Sequence, residues 1–416
     1  MPNYIELANN NVWLPYTAML NHQPQLEVIK AKGAKIFLKD GRVLIDGICS
    51  WWSVAHGYQH PHLVNAITKQ IKQLSHMMLA GFANEQTYKL AYRLCQLSKM
   101  RSVFFSDSGS TAIEVAMKIS WQFFYNQKSY QKKYFVSFNN SYHGDTTGAM
   151  SLADLQSGMH KKFRNLLLKN FSLPLPRDEN DLDVFANFIA KNKQQIASVF
   201  IEPLIQCAGG MHFSSPVILQ KIATIIQQND ILLIADECAT GFYRAGKIFA
   251  CDLANIKPDI LVLGKALTGG MLTLAATVVN EKIYQKFLSS DLDFALMHGP
   301  TFMGNALACS AANASLDLFE KNNYESKVQK IEQIFKQQLQ SIDNLKVNIL
   351  GAIASIRLQK TNWQKILEMR AFAIKNGVFL RPFGDCLYAM PCLTIKSYEL
   401  KKITKVIVDI CKNNDI

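Results

Sequence analysis

Residues 231–265 read ILLIADECATGFYRAGKIFACDLANIKPDILVLGK. Two apolar runs bracket the stretch, Ile231–Ala235 and Ile260–Leu263, both short and unbroken. An unbroken run predicts a strand buried on both faces, as in a parallel sheet between helical layers, whereas an alternating run predicts a strand with one face in water. Charge closes each run: Asp236-Glu237 follows the first and Lys265 the second. Parallel sheets present ligand sites at the carboxyl ends of their strands, so this stretch delivers an acid and an amine to one edge.

Working outward, Val103–Phe105, Tyr134–Phe138, Val199–Ile201 and Ala275–Val279 are further buried-strand runs. Helix-like stretches, among them Thr111–Asn126, Val217–Gln228 and Ile283–Leu288, lie between them in the alternation of a βαβ sheet. After Ser110 the pattern Thr111-x-x-Glu114 predicts a capping box, and Glu114 with Lys118 an i,i+4 pair in the favourable order. Ile260–Val279 is long enough to suggest a membrane span. Lys265 in its interior and Gly269-Gly270 instead divide it into two β segments joined by a glycine turn. The C-terminal part differs: an amphipathic pattern through Ala311–Leu318 and Val328–Leu339 precedes strand-like Val347–Ile349, Ala354–Leu358 and Val378–Arg381. The fold class is therefore α/β, a large domain with a mostly parallel sheet covered by helices, plus a smaller α+β domain. The division is an N-terminal arm over 1–50, a large domain over 51–310 and a small domain over 311–416.

The chain has 416 residues, 49% apolar and 19% charged, enough to bury a large core and too apolar for disorder. Lys and Arg exceed Asp and Glu by 45 to 32, a net charge of +13. That excess permits an acidic partner, but it is diffuse and no nucleic-acid motif accompanies it. Nine cysteines without a C-x-x-C pair suggest neither a disulfide framework nor a structural zinc site, and fit a reducing cytoplasm. The opening MPNYIELANNNVWLPY lacks the pattern of a secretory signal.

Two more strand ends complete a constellation. Glu202-Pro203 closes VFIEP, and Ser108-Gly109-Ser110 follows VFFSD. An acid, a lysine and a phosphate-type loop on one sheet edge are what pyridoxal phosphate requires. Its aldehyde needs an amine in a partly desolvated pocket, which Lys265 offers. Its ring nitrogen stays protonated beside a buried carboxylate, for which Asp236 is placed. Its phosphate needs free N–H groups at the positive end of a helix dipole, which the loop at Ser108-Gly109-Ser110 supplies. Taken singly, each has a plainer reading: Asp236-Glu237 as a turn cap or Walker-B acid without a P-loop, S-G-S as an ordinary turn, Lys265 as a surface lysine.

In this order, SDSGSTAIEVAMK, YHGDT, ADE with TGFYRAG, LGKALTGG and HGPTFMGNALAC resemble class III, fold-type I aminotransferases, the aspartate aminotransferase-like fold, over nearly the whole chain. The resemblance implies a catalytic set of Lys265 as the Schiff-base lysine, Asp236 and Tyr16. It implies a cofactor site of Ser108, Gly109, Ser110, Tyr142, His143, Glu202, Pro300 and Thr301. Tyr142 would stack on the ring, and Thr301 would reach the phosphate in the neighbouring subunit of a homodimer. WLPYTAM, the tandem Trp51-Trp52 and RPFGDCLYAMPC are similar to the biotin-pathway branch of that class, with Cys392 where a second proline is common. That branch implies 8-amino-7-oxononanoate as acceptor and S-adenosylmethionine as donor. Tyr16, Trp51, Trp52, Tyr142, Gly299 and Tyr388 would then line the substrate cavity, and Arg381 would meet the acceptor's carboxylate. Without the family, tandem tryptophans read as core or dimer packing and Arg381 as the partner of a surface acid. His56, His143 and His298 are read as supporting residues, and His60 and His62 as part of a loop. Other diamine or ω-amino acid aminotransferases, and lysine as donor, remain open at this point, and no metal is expected.

Overall fold

The computed structural model describes residues 3–8, 11–20, 25–156, 158–359 and 361–412. Its centre is a seven-stranded sheet in the order Ser102–Ser106, Ala275–Val279, Ile260–Leu263, Leu232–Asp236, Ile196–Ile201, Tyr134–Phe138 and Phe171–Leu173. Neighbours pair parallel except Ala275–Val279, which runs antiparallel to both of its neighbours. The return after Ile260–Leu263 uses a 3-10 turn, Lys265–Thr268, and two glycines at φ +62° and +79°. Residues 260–279 are thus two strands and a glycine turn, and among the described residues no helix is long and apolar enough to cross a membrane.

The unbroken apolar runs follow from burial on both sides. Leu232 and Ile234 pack with Ile113, Ala116 and Phe123 of the helix Gly109–Tyr125 on one face. Leu233 and Ala235 pack on the other face with Ile222 and Ile226 of Pro216–Gln228. Successive side chains of a strand point to opposite faces, so a two-sided core needs every position apolar.

Local details depart from expectation. The helix begins at Gly109, with Ser108 as N-cap and Thr111 as its reciprocal partner, so the capping box is Ser108–Thr111 and not Thr111–Glu114. Glu114 accepts the Gly148 N–H at 2.9 Å and Lys118 meets His298 Nδ1 at 2.7 Å, so their mutual pair does not form. Tertiary partners outcompete a surface pair worth only tenths of a kcal/mol. Residues 283–288 divide between a short α-helix, Glu281–Tyr284, and a 3-10 turn, Gln285–Phe287. Pro61 occupies the first turn of a helix, Pro61–Ile71, so His60 is its N-cap and His62 an ion-pair partner of Asp317, not loop residues. The helix Ala306–Lys321 is buried on nearly every side rather than amphipathic, because it packs against Pro61–Ile71, Glu85–Ser98 and the turn after Lys265.

Besides a two-stranded pair, Ile205–Gln206 with His212–Phe213, two larger sheets accompany this layer. Val28–Lys32, Lys35–Leu38 and Val43–Asp46 form antiparallel neighbours, and Val378–Phe379 adds parallel to Val43–Asp46. The chain's beginning and its C-terminal part therefore share one sheet. That last strand stops two residues short of Arg381, which precedes Pro382 and is left outside the ladder. Lys346–Leu350, Ile353–Arg357 and Cys386–Ala389 make a second, antiparallel sheet.

Candidate active site

Strand ends place the first group. Trp52, Tyr142, Glu202, Asp236, Cys238 and Lys265 are among the residues lining a cleft with about 270 Å³ free of protein atoms. Lys265 follows Gly264, whose missing Cβ leaves room for Cys238 Sγ; an added Cβ would lie 3.2 Å from that sulfur. Lys265 itself has φ +44°, a costly backbone for a non-glycine residue, of the kind found where structure over-determines a functional group. Its Nζ lies 5.1 Å from the centroid of the Trp52 ring.

Asp236, at the end of its strand, accepts the Cys238 N–H at 3.1 Å and the His143 Nδ1–H at 2.8 Å. All of this is buried. Burial alone would raise the Asp236 carboxyl, but His143 and the Lys265 ammonium outweigh it and hold it below the usual carboxylate range. Burial likewise opposes a charged His143, and Asp236 reverses the outcome and raises it. His143 Nε2 is buried without a partner among the described residues.

Glu202 accepts the N–H groups of Tyr142 and Cys207 at 3.0 and 3.1 Å, which pins the loop carrying Tyr142. Burial still pushes its carboxyl up from 4.5 to about 7. Between those values the folded chain keeps a proton that the unfolded chain has lost. The resulting stability is complete below pH 4.5 and is lost as pH rises to about 7, up to about 3 kcal/mol. Glu202→Gln should therefore gain on the wild type in thermal midpoint across that interval; melting curves that stay parallel with pH would show an ordinary carboxyl.

The second group is the helix start. The amides of Gly109 and Ser110 make no hydrogen bond within the described chain, while Ser108 is occupied as N-cap. Ser110 Oγ accepts the Asp145 N–H at 3.1 Å. This approach requires a glycine at 144, where φ is +123° and an added Cβ would sit 1.9 Å from Ser110 Oγ.

The third group is set by a feature that apolar patterning did not reveal. Cys49, Ser50, Trp51 and Trp52 have φ of 39°, 48°, 49° and 74°, a left-handed turn. Such backbone costs roughly 1–2 kcal/mol per residue. Asp46 offsets it, accepting Ile48 N–H at 2.9 Å, Ser50 N–H at 3.2 Å and the Tyr58 hydroxyl at 2.6 Å. The turn sends the two tryptophans to different neighbours. Trp52 meets Lys265 and Tyr388, the latter with ring centroids 6.3 Å apart. Trp51 meets Tyr16 at 6.3 Å and the Arg381 guanidinium at 4.6 Å from its ring centroid. Arg381 is half-buried and, among the described residues, has neither a carboxylate nor a hydrogen-bond partner, so it is not the mate of a surface acid.

Tyr16 links the groups: its hydroxyl donates to Asp145 Oδ2 at 2.7 Å and lies 3.3 Å from the Tyr142 hydroxyl. Burial raises both phenols, which keeps them protonated. Tyr142 lines the cleft and stacks on His160, centroids 5.6 Å apart. Asp145 and His160, joined at 2.9 Å, carry no apolar or strand-end signal in the sequence, although Asp145 lies inside the YHGDT motif. Cys238, Ile205 and Ala208 of the lining carried no sequence signal, being apolar or small residues in apolar surroundings. Gly299, Pro300 and Thr301 are not brought to the cleft; Gly299 and Thr301 are exposed. His56 is buried between the Tyr324 hydroxyl and Ser315 Oγ, a packing role.

A family model described as aminotransferase class-III matches residues 16–411. The adenosylmethionine-8-amino-7-oxononanoate aminotransferase of Buchnera aphidicola subsp. Acyrthosiphon pisum (strain APS) is 40% identical over 410 residues, 95% of each chain. The crystal structure of an adenosylmethionine-8-amino-7-oxononanoate aminotransferase from Methanocaldococcus jannaschii DSM 2661 superposes with a TM-score of 0.94 at 30% identity, covering 99% of both chains. An amine transaminase from an uncultivated Pseudomonas species, in PLP-bound form, gives 0.90 at 26% identity over 96% of this chain and 98% of its own.

Proposed function

Because the chain belongs to the class III aminotransferases, we propose that it aminates 8-amino-7-oxononanoate to 7,8-diaminononanoate in biotin synthesis, with S-adenosylmethionine as the amino donor. The names of its 40% and 30% identical relatives support both substrates. The observation that carries the acceptor is Arg381, a half-buried cation with no counter-charge among the described residues, held on the face of Trp51 and linked to the cleft of Lys265 through Tyr16, which meets Trp51 and lies 3.3 Å from the hydroxyl of the cleft residue Tyr142. An aliphatic keto-amine with a distant carboxylate asks for an apolar, aromatic wall and one fixed guanidinium.

The cofactor is pyridoxal 5'-phosphate, and the residues fit it. Lys265 and Asp236 face one cleft, the Gly109 and Ser110 amides are free, and Gly144 leaves room for Ser110. When bound, this group supplies an aldehyde that links to amines and an electron-withdrawing ring. Lys265 Nζ is the one amine among the described lining residues, and so the atom that would hold the cofactor and carry a proton between carbons. Asp236, charged and backed by His143, would face the ring nitrogen. Tyr142 and Trp52 line the cleft with Lys265 and would help to exclude water from it, and Glu202 keeps the Tyr142 loop in place. The active unit in this reading is a homodimer in which Thr301 serves the neighbouring cofactor. Exposure of Thr301 and of apolar Met297 and Phe302 around it supports that arrangement.

The test is spectroscopic. The yellow protein should lose its visible absorbance with S-adenosylmethionine and recover it on addition of 8-amino-7-oxononanoate. Bleaching by lysine alone would change the donor, and recovery only with unrelated ketones would move the protein to another branch of the class. Arg381→Gln is expected to raise KM for the acceptor about 10- to 100-fold, the worth of a charged hydrogen bond, while bleaching by the donor keeps its rate. Steady-state kinetics with each substrate varied checks this.

A further inference from the structure

The groove beside Arg381 holds a second cation that the proposed reaction has not used. It is a large, mainly apolar depression between the four-stranded sheet that begins with Val28–Lys32 and the helix Trp363–Lys375, with about 2390 Å³ free of protein atoms, part of it open solvent. Leu44, Ile48, Trp51 and Leu380 contribute to its wall, and both Arg381 and Arg370 line it. Arg370 reaches across from its helix, donating Nη2–H to the Pro382 carbonyl at 3.3 Å, one residue beyond Arg381. Its guanidinium lies 5.3 Å from the Trp363 ring centroid, and its Nε–H is buried with no acceptor.

Three other charged residues line the groove, Arg42, Glu368 and Lys375. Arg42 pairs with Asp40 at 2.6 Å, and Glu368 accepts the Gln364 amide at 2.9 Å. Lys375 stands at the end of the helix. Neither Arg370 nor Arg381 forms an ion pair among the described residues. Burial, and in the case of Arg370 the charge of Arg381, pushes both guanidinium values down. Two half-buried like charges and an unsatisfied buried donor oppose folding unless an anion joins them.

We propose that Arg370 is a second arm of the acceptor site, so that the acceptor's terminal carboxylate is held between the guanidinium groups of Arg381 and Arg370. This rests on the reading of the acceptor given above. A planar carboxylate has two oxygens and about four lone-pair sites, enough for both forks. Arg370 is a specificity-determining residue on this account and touches no reacting atom.

Two probes separate this from a purely structural role. Nonanoate and its neutral counterpart nonanamide are titrated calorimetrically into cofactor-loaded wild type, Arg370→Gln, Arg370→Lys and Arg381→Gln. Arg370→Gln should weaken nonanoate about tenfold or more and leave nonanamide unchanged, and Arg370→Lys should recover part of the loss, since it keeps charge without the fork. In turnover, Arg370→Gln should raise KM for 8-amino-7-oxononanoate by a similar factor with kcat retained. Unchanged nonanoate binding, or equal weakening of both probes, overturns the proposal. A wild type that does not turn over 8-amino-7-oxononanoate overturns the acceptor reading instead, and the nonanoate titration still decides whether Arg370 belongs to a carboxylate site.

Discussion

Lys265→Ala should leave a folded chain that no longer transaminates. The residue is half-buried on the cleft wall rather than in the packed layers, its Nζ over the Trp52 ring, so the loss removes chemistry more than core. Two functions disappear together: the amine that holds the cofactor and the base that carries the proton. A positioned base alone contributes about 10²- to 10⁴-fold, so kcat is expected to fall by about 10³-fold or more. Borohydride treatment, which in the wild type should fix the cofactor to the peptide containing Lys265, should label nothing there. Added methylamine should return part of the proton transfer but not the covalent attachment. A variant with wild-type turnover, or a labelled peptide from elsewhere in the chain, ends the assignment of the site.

The second large effect is expected at Asp236, where activity and stability separate according to the replacement. Asp236→Ala leaves His143 buried without its partner, and breaking a buried pair from one side costs about 3–5 kcal/mol. Asp236→Asn keeps its Oδ1 as the acceptor for Cys238 N–H and turns an amide N–H donor toward the Nδ1 of a neutral His143, so one bond is kept, the other is reversed, and far less stability should be lost. Both remove the negative charge, and a preorganised charge in a dry site is worth about 10²- to 10³-fold in rate. The expected pattern is therefore a large fall in kcat for both variants, with a large fall in denaturation midpoint only for alanine. Equal destabilisation of the two would mean that charge, not hydrogen bonding, holds the His143 pair. Asparagine with full activity would mean that another group faces the ring nitrogen.

These two residues were also the most legible. Asp236 and Lys265 end unbroken apolar runs, and unbroken runs arise only where both strand faces are covered, as Leu232 and Ile234 against Leu233 and Ala235 show. Chain order then brought Ser108, Gly109 and Ser110 to the same edge. Legibility fell where partners are distant in sequence. The Thr111–Glu114 cap lost to Ser108–Thr111, and Glu114 was drawn away by the Gly148 amide, which no local pattern contains. The four left-handed residues at 49–52 were illegible because their strain is offset by Asp46 and Tyr58 through contacts that only the folded chain brings together. Arg370 offered no signal at all: an arginine on a helix with an amphipathic neighbourhood reads as a solvated face.

What the amino-acid order determined by itself was the two-sided sheet and the chemistry at its strand ends, because strand burial and side-chain alternation are local properties of short segments. Tertiary structure alone decided the polarity of the pocket. It split Trp51 from Trp52, left Arg381 without a counter-charge among the described residues, set Arg370 beside it and kept Gly299 to Thr301 away from the cleft. The physical reason is that a cation's character depends on which charges and dipoles face it after burial, and Trp51, far in sequence from Arg370 and Arg381, comes to line one groove with them only when a sheet and a helix have closed around it.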